Sequence, residues 1–456
     1  MAPVERHHIR VRSPLGLRVV LPVGLAAIIA VSGIVISGSH TGARSAVATS
    51  STITPPRAPG GSSKGTAPSR PCRSKSATNC DRSQLSPGDP NGSAGCKGTG
   101  PATITASPIA LSDLAYIQPM GLMIGGHVTP IDHGYFYIKG AQASPPQPAA
   151  VYAPLDGVIT AVSRSTRTQG SGPTPPATYD DYAVTIAGTC AFRVRFSNLL
   201  RFAGALAHQV GSLQPNDAKD PQLTVRAGDL IGYTGLPTAY GIDVWVENDN
   251  STLTGFINPA QYTAVESWKT HVVDLFQYTQ EPLRDQLLAL VERDATPRWG
   301  KIDYDQDGKL IGSWFKVGTG GYGGNKNGAA GYWDGHLSVV YDGNDPSQID
   351  VSFGDYQGQA QQFAVIGDKP DPASVDQATG VIDYELGQIE TYSADTGQTW
   401  DGRHYIPHIR TRAGSTVEGT VLMQLVGARS LKIEIFPGRS ASQVAGFDTA
   451  ALLYER

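Results

Sequence analysis

"VYAPLDGVITAVS", Val151 to Ser163, is the stretch from which the fold is read. Apolar and polar residues alternate along it, and Asp156-Gly157 supplies a turn. The same alternation returns in "DYAVTIAG" (Asp181 to Gly188), "FRVRFSNL" (Phe192 to Leu199), "LTVRAGDLIGYTG" (Leu223 to Gly235) and "GIDVWVEN" (Gly241 to Asn248). Short strands separated by glycine turns predict a β-sandwich domain, here placed over 109–267. Ser163 to Asp180 reads as a long Pro/Gly loop within it. Gly157 and Gly228 fall at turns that call for positive φ.

Composition agrees with a mainly β chain. There are 53 Gly and 32 Pro among 456 residues, which favours turns over long helices. Charged residues are 17% of the chain, below the roughly 25% typical of soluble domains. The net charge of −4 argues against a nucleic-acid partner.

The N-terminus points to export. Residues 1–18 carry Arg6, Arg10, Arg12 and Arg18, and Val19 to Gly38 follows without a charge. That length spans a bilayer as a helix, and the basic flank stays cytoplasmic. The expected location is the cell membrane, single-pass, with the bulk outside. The alternative is a signal sequence cut near Ala46-Val47-Ala48, which leaves the protein secreted. Residues 39–108, rich in Ser, Thr, Gly and Pro, read as a disordered stalk. Four cysteines suit an exported chain, and Cys72–Cys80 with Cys96–Cys190 is the expected pairing.

Beyond 267, "DLFQYTQEPLRDQLLALVER" (Asp274 to Arg293) predicts a helix packed on a second domain at 268–456. Eight strands follow there: "KLIGSWFKV", "HLSVVYD", "QIDVSFG", "QQFAVIG", "GVIDYEL", "GTVLMQL", "LKIEIFPG" and "ALLYER". They predict a β-barrel or sandwich, and a closed barrel is one way to carry a small ligand.

Three stretches of the first domain resemble the lysostaphin-type zinc endopeptidases, peptidoglycan hydrolases of the duplicated hybrid motif. "VYAPLDGVITAV" is similar to that family's A-x-x-D-G-x-V. "VRAGDLIGYTG" is similar to its V-x-x-G-D-x-I-G-x-x-G. "GIDVWVE" falls where it carries an H-x-H strand. The likeness covers Gly125 to Glu247. It implies zinc held by the His and Asp of H-x-x-x-D and by the last His of H-x-H, with an open position where bound water is activated. The first His of H-x-H and one in Y-x-H-L would assist.

This chain departs from each motif. His133 matches the first ligand, but Tyr137 stands at the aspartate. Alternatively His127 and Asp132 form the pair, one residue too far apart. Asp243-Val244-Trp245 replaces H-x-H, and Trp245 cannot bind zinc. Asn198 replaces the histidine of Y-x-H-L in "FSNL". The zinc candidates are therefore His127, Asp132, His133 and Asp243. If the chain is active, the catalytic candidates are His133, Asn198 and Asp243.

Other constellations are weaker. Asp303, Asp305 and Asp307, followed by Gly308, begin like a calcium loop, but position 12 is Trp314 rather than Glu. A tight Asp-Gly turn explains Asp307-Gly308 equally well. Gly318 to His336 reads as a mobile glycine-rich loop whose Tyr322, Tyr332 and Trp333 suit stacking on a sugar. His404 and His408 flank Pro407, which indicates a loop. No cofactor is required, and zinc and calcium are the metals the sequence admits.

The expected function is that of a non-catalytic cell-envelope protein with a degenerate peptidoglycan-endopeptidase fold. It would bind cell wall, glycan or a partner hydrolase, a role the resemblance allows because degenerate members activate other wall enzymes. The alternatives are an active zinc endopeptidase with atypical ligands and a small-ligand carrier acting through the C-terminal barrel.

Overall fold

The computed structural model describes residues 96–143, 146–169, 177–235, 241–324, 331–401 and 405–456. The apolar stretch Val19 to Gly38, Cys72, Cys80 and His404 lie outside them. Among the described residues no helix is long and apolar enough to cross a membrane.

Strands β1 (Leu114–Gln118), β2 (Gly134–Ile138), β3 (Ala149–Tyr152), β4 (Gly157–Gln169), β5 (Ala177–Ala187), β6 (Phe192–Phe202), β7 (Asp217–Lys219), β8 (Leu223–Val225), β9 (Leu230–Thr234) and β10 (Gly241–Asn248) join in one sheet. Its main path runs β1-β2-β10-β6-β5-β4-β7. β9 pairs with β6 and β3, and β8 pairs with β4. Apolar residues of alternate register, among them Phe136, Val184, Val194, Phe196 and Val244, form its core.

Much of the loop expected at Ser163 to Asp180 is strand. β4 and β5 pair as far as Gln169 and Ala177. Cross-strand contacts hold this polar ladder: Arg164 Nη2 donates to Asp180 Oδ2 at 2.6 Å, and Arg167 lies 2.5 Å from Asp181. Gly228 has a φ of 89°, as its turn requires. Gly157 serves differently, because a Cβ there would stand 2.4 Å from the Ala187 carbonyl oxygen.

The expected domain limits shift in both directions. Residues from Cys96 onward are fastened to the sheet rather than continuing a stalk to 108. Cys96 and Cys190 form the expected disulfide, Cys190 N–H donates to Gly98 O, and Ile104 and Ile109 are fully buried. At the other end the first core runs past 267 and takes in Trp268, Phe276, Leu287, Trp299 and Ile302.

The helix expected at Asp274 to Arg293 is only the short α3 (Leu283–Leu288), which follows α1 (Gly204–Val210) and α2 (Pro259–Thr263). The residue before a proline is disfavoured in the α region, so no helix passes smoothly through Glu281-Pro282. Downstream, Glu292 N–H donates to Ile117 O, and Val291 bridges Ile117 in strand fashion. Leu287 packs into the first core, not against the second domain.

The second unit is a closed eight-stranded barrel of β11 (Gly312–Lys316), β12 (His336–Tyr341), β13 (Ile349–Tyr356), β14 (Gln359–Val365), β15 (Ile382–Gly387), β18 (Gly419–Gly427), β19 (Ser430–Pro437) and β20 (Leu452–Glu455). Every neighbouring pair is antiparallel. Eight strands leave an interior that side chains just fill, and Trp314, Phe353, Phe363, Tyr384, Met423 and Ile433 pack together there. Strands β16 (Ile389–Ser393) and β17 (Ile409–Ala413) form a separate ribbon. Its Ile409, with Ile406, packs on Tyr135 and Tyr137 of the first sheet, and Ile409 N–H donates to Glu292 Oε2 at 2.6 Å.

Candidate functional site

The site lies on the face of the first sheet opposite Phe136 and Val244. In register, Asp243 stands across from Tyr135 and Ser197, and Trp245 across from Arg195. Alternate strand residues share a face, so these side chains lie on one side. His133, just ahead of β2, continues the row and packs against the Trp245 ring, the centroids 4.0 Å apart and the planes tilted by 39°. Asp132, His133, Ser197, Asn198, Asp243 and Trp245 are all buried.

Asp132 is the centre of the network. Its Oδ1 accepts from Trp245 Nε1 at 2.9 Å and is 2.9 Å from His133 Nδ1. Its Oδ2 accepts from Trp268 Nε1 at 2.9 Å and lies 3.9 Å from Lys269 Nζ. Burial opposes the charge on Asp132, but Lys269, the His133 bond and Arg195 outweigh it and hold this carboxyl well below the ordinary range. Lys269 is itself buried, 3.3 Å from Glu266. Burial works against its charge too, yet Glu266 and Asp132 keep it above the usual lysine value. Glu266 accepts from Tyr322 of the glycine-rich loop at 2.6 Å.

Asp243 forms a second node. Its oxygens accept from Ser197 Oγ and Asn198 Nδ2, each at 2.7 Å. Asn198 has a φ of 62°, a conformation asparagine tolerates better than most residues. Its backbone N–H donates to Asp181 at 2.7 Å. His133 Nε2 is 3.9 Å from Asp243 Oδ2, too far for a hydrogen bond.

The zinc candidates are thus neighbours without a common centre. Asp132 and Asp243 flank opposite nitrogens of one imidazole, so an ion on one side is turned away from the other carboxylate. His127 packs edge-on to His133 at 6.1 Å. Burial, with the nearby charges of His133 and Lys269, pushes His127 down to about 3, so it is neutral at physiological pH. Among the described residues no three His, Cys, Asp or Glu side chains gather as a metal site. The catalytic candidates meet a similar obstacle: the hydroxyl beside them, Ser197 Oγ, bonds to Asp243 rather than to His133. A base with no nucleophile in reach lacks the geometry of nucleophilic catalysis.

The calcium candidates do not share a centre either. Asp303 accepts from Gly255 N–H at 2.8 Å and from Lys301 at 2.7 Å. Asp305 accepts from Ser313 N–H at 2.9 Å and Ile257 N–H at 3.2 Å. Asp307 pairs with Arg429 at the surface, 3.1 Å away. Asp303 and Asp305 therefore staple 255–257 to the start of the barrel. In the glycine-rich loop, Tyr322 is buried on His336, and Trp333 lies against the backbone of Gly126. His408 is exposed and pairs with Asp395.

Trp268, Lys269, Glu266 and Arg195 complete the site although no sequence motif marks them. Arg195, Ser197 and Asp243 did leave a trace, as the polar positions of the alternating β6 and β10 strands. The guanidinium of Arg195 stacks over Trp245 at 4.0 Å and Trp268 at 4.5 Å. No family model, curated protein or solved structure matches this chain.

Asp132→Asn places an amide NH2 against an indole N–H and removes a counter-charge from buried Lys269. We expect a loss of about 3 kcal/mol in denaturant unfolding, against less than about 1 kcal/mol for Asp307→Asn at the surface. A second prediction concerns acid. Burial pushes His336 down to about 3. The unfolded chain therefore binds a proton below about pH 6.5 that the folded chain refuses, and stability falls from there towards pH 3. His336→Gln should flatten the pH dependence in that window by about 1.4 kcal/mol per pH unit relative to the parent. An unchanged slope would mean that His336 titrates normally.

Proposed function

We propose that this chain is a non-catalytic exported cell-envelope protein. In it, an endopeptidase-like sheet has become a structural joint, and the outer surface binds cell wall, glycan or a partner hydrolase. The observation that carries this reading is the state of Asp132. Both of its oxygens are committed to N–H donors, with an ammonium nearby. A carboxylate in that condition has little to offer a cation. Trp245, at the position the resemblance assigns to a zinc ligand, donates to this carboxylate instead.

Burial supports the same reading. Residues 266–269 and the loop around Tyr322 cover the face on which a substrate would have to lie. Export rests on the N-terminal basic and apolar segments and on the Cys96–Cys190 disulfide, which suits an oxidising compartment. The zinc-endopeptidase alternative is opposed by the divergent carboxylates. The carrier alternative is opposed by the side chains that fill the barrel.

The test is zinc analysis of the purified full chain, with peptide release from isolated peptidoglycan and co-sedimentation with it. We expect no stoichiometric zinc, no release and retention on the wall. Stoichiometric zinc that disappears in His133→Ala, together with released peptide, would establish the enzyme instead. Failure to co-sediment would remove the wall as the ligand.

A further inference from the structure

The loop between β12 and β13, "DGNDPSQID" (Asp342 to Asp350), gathers buried oxygens that lack partners. Val340 pairs with Asp350, and Asp342 N–H donates to Gln348 O at 3.0 Å, so the two aspartates stand at the base of one hairpin. Their carboxyls lie side by side, with the Thr411 hydroxyl of β17 next to Asp342. Asp342 Oδ1 accepts from the N–H groups of Asn344 at 2.9 Å and Asp345 at 2.7 Å, which curls the loop over the pair.

Two side-chain oxygens here have no hydrogen-bond partner, Asp350 Oδ1 and Asn344 Oδ1. Their residues are 2% and 6% exposed, and Thr411, 7% exposed, sets its hydroxyl against Asp342. A buried polar atom without a partner costs about 1–3 kcal/mol, so two on one hairpin is an expensive arrangement unless something binds them. The charge is also one-sided. Asp342 and Asp345 face Arg293, whose Nε and Nη1 already donate to the Ala295, Pro297 and Gly343 carbonyls.

We propose that Asp342, Asn344, Asp350 and Thr411 form a calcium site that ties the β12–β13 hairpin to the β16–β17 ribbon. The donors are all hard oxygens, carboxylate, amide and hydroxyl, which is the set that calcium selects. Two carboxylates match a divalent charge. An irregular loop with backbone carbonyls to add suits calcium's variable coordination better than the strict octahedron of magnesium. The ribbon carries Ile409 against the first sheet. An ion at Thr411 would therefore stiffen the junction between sheet and barrel. The motif reads D-x-N-x5-D, and it lies downstream of the Asp303–Asp307 stretch that looks more like a calcium loop.

The competing arrangement is a proton shared between the two carboxyls, and calcium titration separates the two. The full chain is stripped with a chelator and its melting temperature followed as calcium chloride is raised to about 10 mM, above the range of extracellular calcium sites. We expect a rise of about 3 °C or more, little response to magnesium, and binding heat in calorimetry. Asp350→Asn keeps the shape, removes the carboxylate that would face the ion and should lose the rise. Thr411→Val should weaken binding several-fold, and Asp307→Asn should leave it intact. No calcium-dependent rise in the parent chain, or an equal rise in Asp350→Asn and Thr411→Val, would overturn the site.

Discussion

A single buried carboxylate, Asp132, holds together parts of the chain that are far apart in sequence. It takes N–H donors from Trp245 on β10 and from Trp268 in the segment after α2, and it sits beside Lys269. Lys269 is tied to Glu266, and Glu266 to Tyr322 in a loop of the barrel. On the other side His133 leads towards Asp243, which fixes Ser197 and Asn198 on β6. One polar path thus runs from the barrel into the middle of the first sheet. Such a network rigidifies when every member is satisfied and is costly when one is removed.

That path is the ground for proposing that the site serves structure rather than chemistry. A metal hydrolase needs ligands that converge on one point and leave one position open. Here the carboxylates stand on opposite sides of the His133 ring, and indole and ammonium groups occupy the space around Asp132. The positive charge that a metal would bring comes instead from Lys269, with Arg195 stacked nearby on Trp245 and Trp268. The polar face is closed by aromatic packing, including the stack of Tyr116, Tyr137 and Tyr405.

Strand periodicity carried most of the fold. All eight barrel strands and the boundaries of β10 were legible, because side chains alternate between a packed interior and solvent. The β16–β17 ribbon was missed, since it is amphipathic only towards a distant surface. The helix at Asp274 to Arg293 is overstated in length: only Leu283–Leu288 is α-helix, beginning directly after Pro282. The polar ladder of β4 and β5 carries no apolar alternation to mark it as strand, because its stability comes from Arg–Asp pairs across strands. At the site, the resemblance singles out His133, Asp132 and Asp243, which the structure brings together, but not their partners. Trp268 and Lys269 reach Asp132 across 136 and 137 positions of chain, a separation no local pattern encodes. The oxygens around Asp342 leave little trace in the sequence, because only two of their residues are carboxylates.

The commitment of Asp132 to indole donors is open to direct observation. In protein labelled with nitrogen-15 at tryptophan, the indole resonances of Trp245 and Trp268 can be assigned by substitution to phenylalanine. Both protons should exchange slowly with solvent and keep their positions when zinc is added or removed. Rapid exchange, or a shift of either resonance on adding zinc, would mean that Asp132 is available to a metal and that the site is not a joint.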